Sequence, residues 1–276
     1  MLRTEQGIVI KRFPYSEANT GIKILTEEGQ ILTLTAYGIL SSKKRSNLIS
    51  EPGSLISVTY YEHTHSTGAL KEGNVVEDFE EIKKNYDSLL VLSYILELTD
   101  AAVKGEKNSG FYNLLYGALQ EMKKTDIFER GFKMKKNRSS LDNLGDIFWL
   151  YAFLGFYKIR IVKLLGLLGD TGICANCGNP LGGRVKFAVP DVSFLCENCT
   201  DGTSASEASA SGAHMAEWIR FAAVNRFQKY LSYLPPTSET IMESLTEMDH
   251  YLNRTLEYFF SKILTSKIQL YKYIGS

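Results

Sequence analysis

Thr20-Gly21-Ile22-Lys23-Ile24-Leu25-Thr26 and Gln30-Ile31-Leu32-Thr33-Leu34-Thr35-Ala36-Tyr37-Gly38 are two runs in which apolar and polar residues alternate, joined by Glu27-Glu28-Gly29. A period of two is the mark of a strand with one face buried, and a short glycine-containing joint between two such runs is the mark of a hairpin. Working outward, Gly7-Ile8-Val9-Ile10-Lys11-Arg12 is a β-rich run before the hairpin. After it, Glu51-Pro52-Gly53 opens another, Ser54-Leu55-Ile56-Ser57-Val58-Thr59-Tyr60-Tyr61, and a short fifth strand is expected around Asn74-Val75-Val76-Glu77. Five short antiparallel strands with the longest connection between the third and fourth are what a small barrel of the OB type requires, because closure removes the exposed sheet edges. Another small barrel or an open sheet is the alternative on pattern.

From about residue 80 the period becomes helical. Tyr86, Leu89, Leu90, Leu92, Ser93, Leu96 and Leu98 make one wide apolar face; Phe111, Leu114, Leu115, Ala118, Leu119 and Met122 make another, capped upstream by Asn108 or Ser109. A long helix from about 141 to 168 is expected to end at Gly169-Asp170-Thr171-Gly172. Beyond a Ser/Ala-rich linker at 203–212, helices are expected over 214–231 and 239–263, with Pro235-Pro236 between them.

Cys174, Cys177, Cys196 and Cys199 are the chain's four cysteines and form two C-x-x-C pairs. Two such knuckles at this separation are the spacing of a tetrahedral zinc site. Gly178, then Asn179-Pro180, supply a turn, and Val185, Phe187 and Val189 alternate like a hairpin strand leading to the second pair. Four thiolates leave no position for water or substrate, so the expected Zn2+ is structural. Disulfides need an oxidising compartment, and Met1-Leu2-Arg3-Thr4-Glu5 carries neither an apolar signal stretch nor a cleavage site, so a cytoplasmic protein is expected. A thioredoxin-like redox pair needs a βαβ setting, whereas these cysteines sit among glycines and polar residues.

The resulting expectation is an α+β multidomain protein. Residues 1–80 form an OB-fold nucleic-acid-binding domain, 81–170 the first part of an all-α helical domain, 171–202 a four-cysteine, zinc-ribbon-like module that interrupts it, and 203–276 a linker and the second helical part. With 31 Lys+Arg against 31 Asp+Glu the net charge is zero, so a nucleic-acid surface must come from local segregation of charge. Lys43-Lys44-Arg45, flanked by serines in the long connection after the third strand, is one such segregation, and Lys11, Arg12 and Phe13 add cations and a ring near the same barrel face. Tyr37, Tyr60 and Tyr61 are strand aromatics open to stacking or to packing. Lys133, Lys135, Lys136 and Arg138 form a second basic stretch, which fits a solvated loop, a phosphate contact or a dock for an acidic peptide. Arg160 and Lys163 interrupt an apolar helix, where they either snorkel to the surface or line a cationic pocket.

No catalytic constellation accompanies these features. His63, His65, His214 and His250 lie apart from candidate carboxylate partners and read as surface residues. Neither a phosphate-binding G-x-x-x-x-G-K-[ST] loop nor a G-x-S-x-G nucleophile elbow occurs, and no open-sphere deaminase zinc signature accompanies the cysteines, so the expected protein is not an enzyme. No apolar stretch reaches bilayer length without charges, so no membrane partner is expected.

Particular residues resemble the bacterial RecO family of DNA repair and recombination mediators across nearly the whole chain. Gly7-Ile8-Val9-Ile10 followed by Tyr15-Ser16-Glu17-Ala18-Asn19 resembles the family's opening strand and turn, and Thr26-Glu27-Glu28-Gly29-Gln30 its next turn. Ala36-Tyr37-Gly38 with Lys43-Lys44-Arg45-Ser46 is similar to the family's A-K-G-x-R-x-x-K-S-R segment, with Tyr37 and Leu40 standing where the family has a lysine and an arginine. Leu92-Ser93-Tyr94-Ile95-Leu96-Glu97-Leu98 resembles the first helix of its helical domain, and residues 157–166 the helix that leads to its zinc module. Gly155-Phe156 stands where many members carry an Arg-Arg pair associated with the acidic tail of single-strand-binding protein. The resemblance implies DNA binding through Lys43, Lys44 and Arg45 with Lys11, Arg12 and Tyr37. It further implies strand annealing, partnership with RecR and with the acidic C-terminal tail of single-strand-binding protein, and recombinase loading in the RecF pathway on single- and double-stranded DNA, in the cytoplasm at the nucleoid. The alternatives are an RNA-binding or translation-associated OB/zinc module, or a non-catalytic protein adaptor.

Overall fold

The computed structural model describes residues 1–15, 19–37, 47–125, 141–182, 185–188, 191–199 and 212–274. Packing divides the chain into two compact units, Met1–Gly131 with Leu264–Ser276, and Phe132–Ile263.

The first unit is built on a closed five-stranded barrel in the order β1-β2-β3-β5-β4, with β1 Leu2–Pro14, β2 Thr20–Thr26, β3 Ile31–Ala36, β4 Leu55–Thr64 and β5 Thr67–Glu77. This is the expected OB arrangement. β1–β2, β2–β3, β4–β5 and β1–β4 pair antiparallel, but closure between β3 and β5 is parallel, at Thr33↔Thr67, Leu34↔Gly68 and Thr35↔Ala69. The fifth strand therefore starts at Thr67, well ahead of its β-branched end at Val75-Val76, and runs through a segment rich in glycine and polar residues. Alternation places Val9, Ile22, Ile24, Leu32, Leu34, Ala36, Ile56, Val58, Tyr60 and Leu70 inside. One 3-10 turn at Asn47–Ser50 adds Ile49 to the same core. Each fully buried aliphatic chain contributes about 1.5–3 kcal/mol, so this barrel carries its own core.

Around it pack α1 (Glu80–Lys83), α2 (Tyr86–Ala102) and α3 (Ser109–Lys124). Asn85 caps α2 by accepting from the Asp87 N–H, and Asn108 caps α3 by accepting from the Gly110 N–H. The final helix, α8 (Thr265–Ile274), packs on α2. Glu97 of α2 accepts from the Thr265 and Ser266 N–H groups, a carboxylate at a helix N-terminus.

The second unit holds α4 (Leu141–Leu164), the hairpin β6–β7 (Val185–Ala188 and Ser193–Cys196), α5 (Gly212–Val224), α6 (Phe227–Tyr233) and α7 (Glu239–Phe260). α4 ends at Leu164, before its apolar pattern runs out near 168. Gly166 takes φ +72°, the Leu167 N–H reaches the Val162 carbonyl and the Gly166 N–H the Lys163 carbonyl, which closes the helix in a Schellman motif. The helix expected over 214–231 is broken between Val224 and Phe227. Asn225 folds its side-chain amide back to the Phe221 carbonyl, and Phe227 turns inward to meet Trp149, Phe153 and Phe156 edge-on at 5.4–5.6 Å. Among the described residues no helix is long and apolar enough to cross a membrane.

Candidate metal centre and nucleic-acid interface

The four cysteines converge. Their sulfurs all lie within 4.8 Å of one another, and Cys177 Sγ and Cys196 Sγ are 3.7 Å apart. Four sulfurs at about 2.3 Å from a central zinc stand about 3.8 Å from each other, so the cluster has the dimensions of a tetrahedral thiolate site and can hold a metal ion. The first knuckle is made by the turn that returns the Gly178 N–H to the Cys174 carbonyl and ties the Cys174 N–H to the Asn179 carbonyl. The second begins at the end of β7 and runs through the 3-10 turn Glu197–Cys199. A parallel bridge between Cys174 and Phe194 and the Ala175 N–H to the Phe194 carbonyl lock one knuckle to the other.

The sulfurs are also solvated by the chain. The backbone N–H groups of Cys177 and Cys196 hold the Cys174 thiol down to about 6, so it is a thiolate near neutrality. At Cys199 the Asn176 side chain lowers the value, but the neighbouring Cys177 and Cys196 sulfurs and burial outweigh it and push the thiol up to about 12. Four sulfurs crowded this closely cannot all ionise without a cation between them, which is the electrostatic demand of a metal site. Asn176 lies inside the first knuckle, and nothing in its residue type announces this contact.

The module is bonded into the second unit. Gly169 donates its N–H to the Val192 carbonyl and Val192 donates to Leu167, so the end of α4 and the ribbon share a short ladder. Phe187 of β6 stacks on Tyr251 of α7 at 4.7 Å with an interplanar angle of 6°, and meets Phe194 edge-on at 5.1 Å. The alternation around β6 foretells the inward Phe187; its partner Tyr251 has no local signal.

On the barrel, Lys11 and Arg12 are both exposed, and as consecutive strand residues they stand on opposite faces of β1. Lys11 pairs with Lys23, whose ammonium lies 2.8 Å from Asp100 of α2 on the barrel's outside; Arg12 pairs with Ile22, a core residue. Tyr37 follows β3 directly and is 51% exposed, as is Tyr61, whereas Tyr60 is a core residue whose hydroxyl donates to Glu5. Lys43, Lys44 and Arg45 lie outside the described residues, as do Lys133, Lys135, Lys136 and Arg138. All four histidines are exposed.

Two cations of the second unit have a definite structural use. The Arg160 guanidinium and the Lys163 ammonium both donate to the Ala223 carbonyl, at 2.7 and 2.9 Å, and so close the C-terminal end of α5. Gly155 is buried and Phe156 packs on Phe227 and Tyr230, which makes this pair part of the helical core.

Comparison with known proteins bears on the same architecture. Residues 1–79, the barrel, match the family described as Recombination protein O N terminal. The whole chain is similar to a DNA repair protein RecO of Leptospira biflexa serovar Patoc, 26% identical over 280 residues, covering 99% of this chain and 98% of that protein. A DNA repair protein RecO of Bacillus pumilus is 24% identical over 72% of this chain and 69% of its own length. One from Syntrophus aciditrophicus is 25% identical over 70% and 68%. The barrel's match and an alignment that continues through the helices and the cysteine ribbon lead to one conclusion: the chain is similar to DNA repair proteins RecO over nearly its whole length, and its barrel to the N-terminal domain of that family.

Proposed function

We propose that the protein is a DNA-binding recombination mediator: it holds complementary strands together while they anneal, and helps recombinase onto single strands covered by single-strand-binding protein. The observation that carries this reading is the closed five-stranded barrel over the same residues that match the recombination-protein N-terminal domain, in a chain similar to DNA repair proteins from end to end. The work is binding, with no bond made or broken. Neutralisation of phosphates by Lys43, Lys44, Arg45, Lys11 and Arg12, with stacking on Tyr37, raises the local concentration of two strands and so speeds their pairing. RecR and the acidic tail of single-strand-binding protein are the protein partners in this reading, and the cytoplasm at the nucleoid is its place.

The ion at Cys174, Cys177, Cys196 and Cys199 is proposed to be structural Zn2+, supported by an all-thiolate donor set of tetrahedral dimensions. All four positions are filled by the chain, so the metal's role is to hold the ribbon's two knuckles together.

The test is the Lys43→Ala/Lys44→Ala/Arg45→Ala variant, with binding to labelled DNA measured across a salt series. Each lost phosphate contact lowers the slope of log affinity against log salt by about 0.9 on duplex DNA and about 0.7 on single strands. A slope reduced by about 2 to 3 with an intact thermal transition is expected. An unchanged affinity and slope would take this loop out of the interface.

A further inference from the structure

The four cysteines of the ribbon converge, but they are not equivalent toward solvent. Cys174 is buried, and its backbone is tied on both sides, its N–H to the Asn179 carbonyl and its carbonyl to the Gly178 N–H. Its sulfur also accepts the Cys196 N–H at 3.4 Å. Cys196, at the end of β7, and Cys199, in the 3-10 turn that follows, are half-buried. Cys177 is the exposed one of the four, in a run from Ala175 to Pro180 that is exposed throughout. Gly178 beside it takes φ +73° and has open space where a Cβ would stand. A small solute therefore has an open approach to Cys177 and none to Cys174.

A partner for that exposed sulfur is already in place. Cys177 Sγ and Cys196 Sγ are 3.7 Å apart, in van der Waals contact across the two knuckles. The parallel bridge between Cys174 and Phe194 and the β6–β7 ladder hold the knuckles at this approach. A sulfur that ligates a metal is a thiolate, and the thiolate is also the form that attacks an electrophile. One exposed sulfur with a second in contact is the arrangement of a redox-sensitive thiol and its resolving partner.

We propose that Cys177 is a site of oxidation by hydrogen peroxide and that Cys196 resolves it, so that the ribbon exchanges its metal ion for a disulfide. The Cys177 sulfur attacks a peroxide oxygen: an S–O bond forms, the O–O bond breaks, and the departing hydroxide takes a proton to become water. The Cys196 sulfur then attacks the Cys177 sulfenic acid; the S–S bond forms, the S–O bond breaks, and the second hydroxide leaves as water. The two sulfurs together give up the two electrons that reduce one peroxide to two waters. Cys174 and Cys199 remain as ligands, too few to close a tetrahedral site, so the ion is released. A dithiol reductant reverses the exchange. The release rests on the metal reading above, whereas the thiol step stands on exposure and distance alone.

The experiment treats the full chain, purified with its metal, with hydrogen peroxide. Free thiols are counted, released zinc is read with a chromogenic chelator, and the non-reduced digest is mapped by mass spectrometry. The expected result is a fall from four free thiols to two, with release of the ion in step and a Cys177–Cys196 cross-link in the digest. Dithiothreitol with added zinc restores both thiols and metal. Cys177→His keeps a Cys3His donor set, a known class of structural zinc site, and is expected to hold the ion while losing the peroxide-driven release. Should that variant fail to hold metal, the wild-type digest alone decides. Thiols that survive peroxide, a cross-link between any other pair, a disulfide formed without release of the ion, or a Cys177→His protein that releases metal as fast as the wild type would each overturn the proposal. A purified chain that carries no ion yet forms the Cys177–Cys196 cross-link brings down the metal reading and leaves the redox pair standing.

Discussion

Lys158 is a charge on the most apolar stretch of the chain, and its side chain is fully buried. It forms an ion pair with Asp249, also buried, whose second oxygen accepts from the Asn253 amide at 3.0 Å. In the sequence Lys158 is an interruption that makes α4 unfit for a membrane; the tertiary structure makes it a tie between α4 and α7. Removing one partner leaves a buried charge alone, so Lys158→Met is expected to destabilise the second unit by about 3–5 kcal/mol in urea unfolding, whereas Lys158→Met/Asp249→Leu recovers most of that loss. A single variant as stable as the wild type would show that the pair is not desolvated.

Tyr60 has the opposite history, because a strand aromatic with an inward phase is legible as core. Burial, then the hydrogen bond to the Glu5 carboxylate, pushes its hydroxyl up to about 12. A folded-state value above the unfolded one, about 10, gives stability that is complete below pH 10 and is lost as pH rises through 12. The barrel's unfolding midpoint is therefore expected to fall steeply between about pH 10 and 12, and Tyr60→Phe to flatten that fall. An alkaline profile identical in the variant would assign the transition to other groups.

At the scale of elements, strands with clean alternation were readable and strands made by their neighbours were not. β2 and β3 alternate in sequence, and β3 alternates in burial as well. Most of β5 consists of Gly68, Ala69, Lys71, Glu72, Gly73 and Asn74, which have little strand preference of their own. They are held extended because β4 pairs along one edge of the strand, and β3 takes Thr67, Gly68 and Ala69 at the start of the other.

Helix ends show the same division. The caps at Asn85 and Asn108 are set by residue type, while the break at Asn225 depends on where Phe227 finds its aromatic partners. Arg160 and Lys163 both cap α5 at Ala223, where the helix dipole is negative. Arg160→Met/Lys163→Met is expected to lower the second unit's stability by about 1 kcal/mol, with the effect shrinking at high salt. A salt-independent loss would point to packing of the long stems instead, since Arg160 also lies over the Phe156 ring at 6.0 Å.

For the molecule as a whole, the cysteine ribbon, whose four sulfurs can hold a metal ion, belongs to one unit and the barrel is a self-contained core in the other. Metal removal by a chelator is expected to abolish amide protection in the ribbon, through Cys174, Phe187 and Phe194, and to loosen the stack on Tyr251. Protection at Ile22, Ile24 and Val58 should persist. Cys174→Ser should reproduce the pattern without chelator and reduce bound metal, counted by elemental analysis of the purified protein. Equal loss of protection in barrel and ribbon would mean that the metal supports both units.

The sequence by itself determined the barrel's hairpin, the helical character of the chain beyond the barrel, and the four cysteines that come together and can hold a metal ion, because periodicity and C-x-x-C spacing are local properties that survive without a fold. Tertiary structure alone decided the parallel closure of β3 on β5, the Lys158–Asp249 tie across 91 residues, and the docking of α8, whose first N–H groups are satisfied by Glu97, 169 residues before Ser266. The physical reason is that a buried charge or an unpaired strand edge must find a partner, and which partner comes within reach depends on how the whole chain packs.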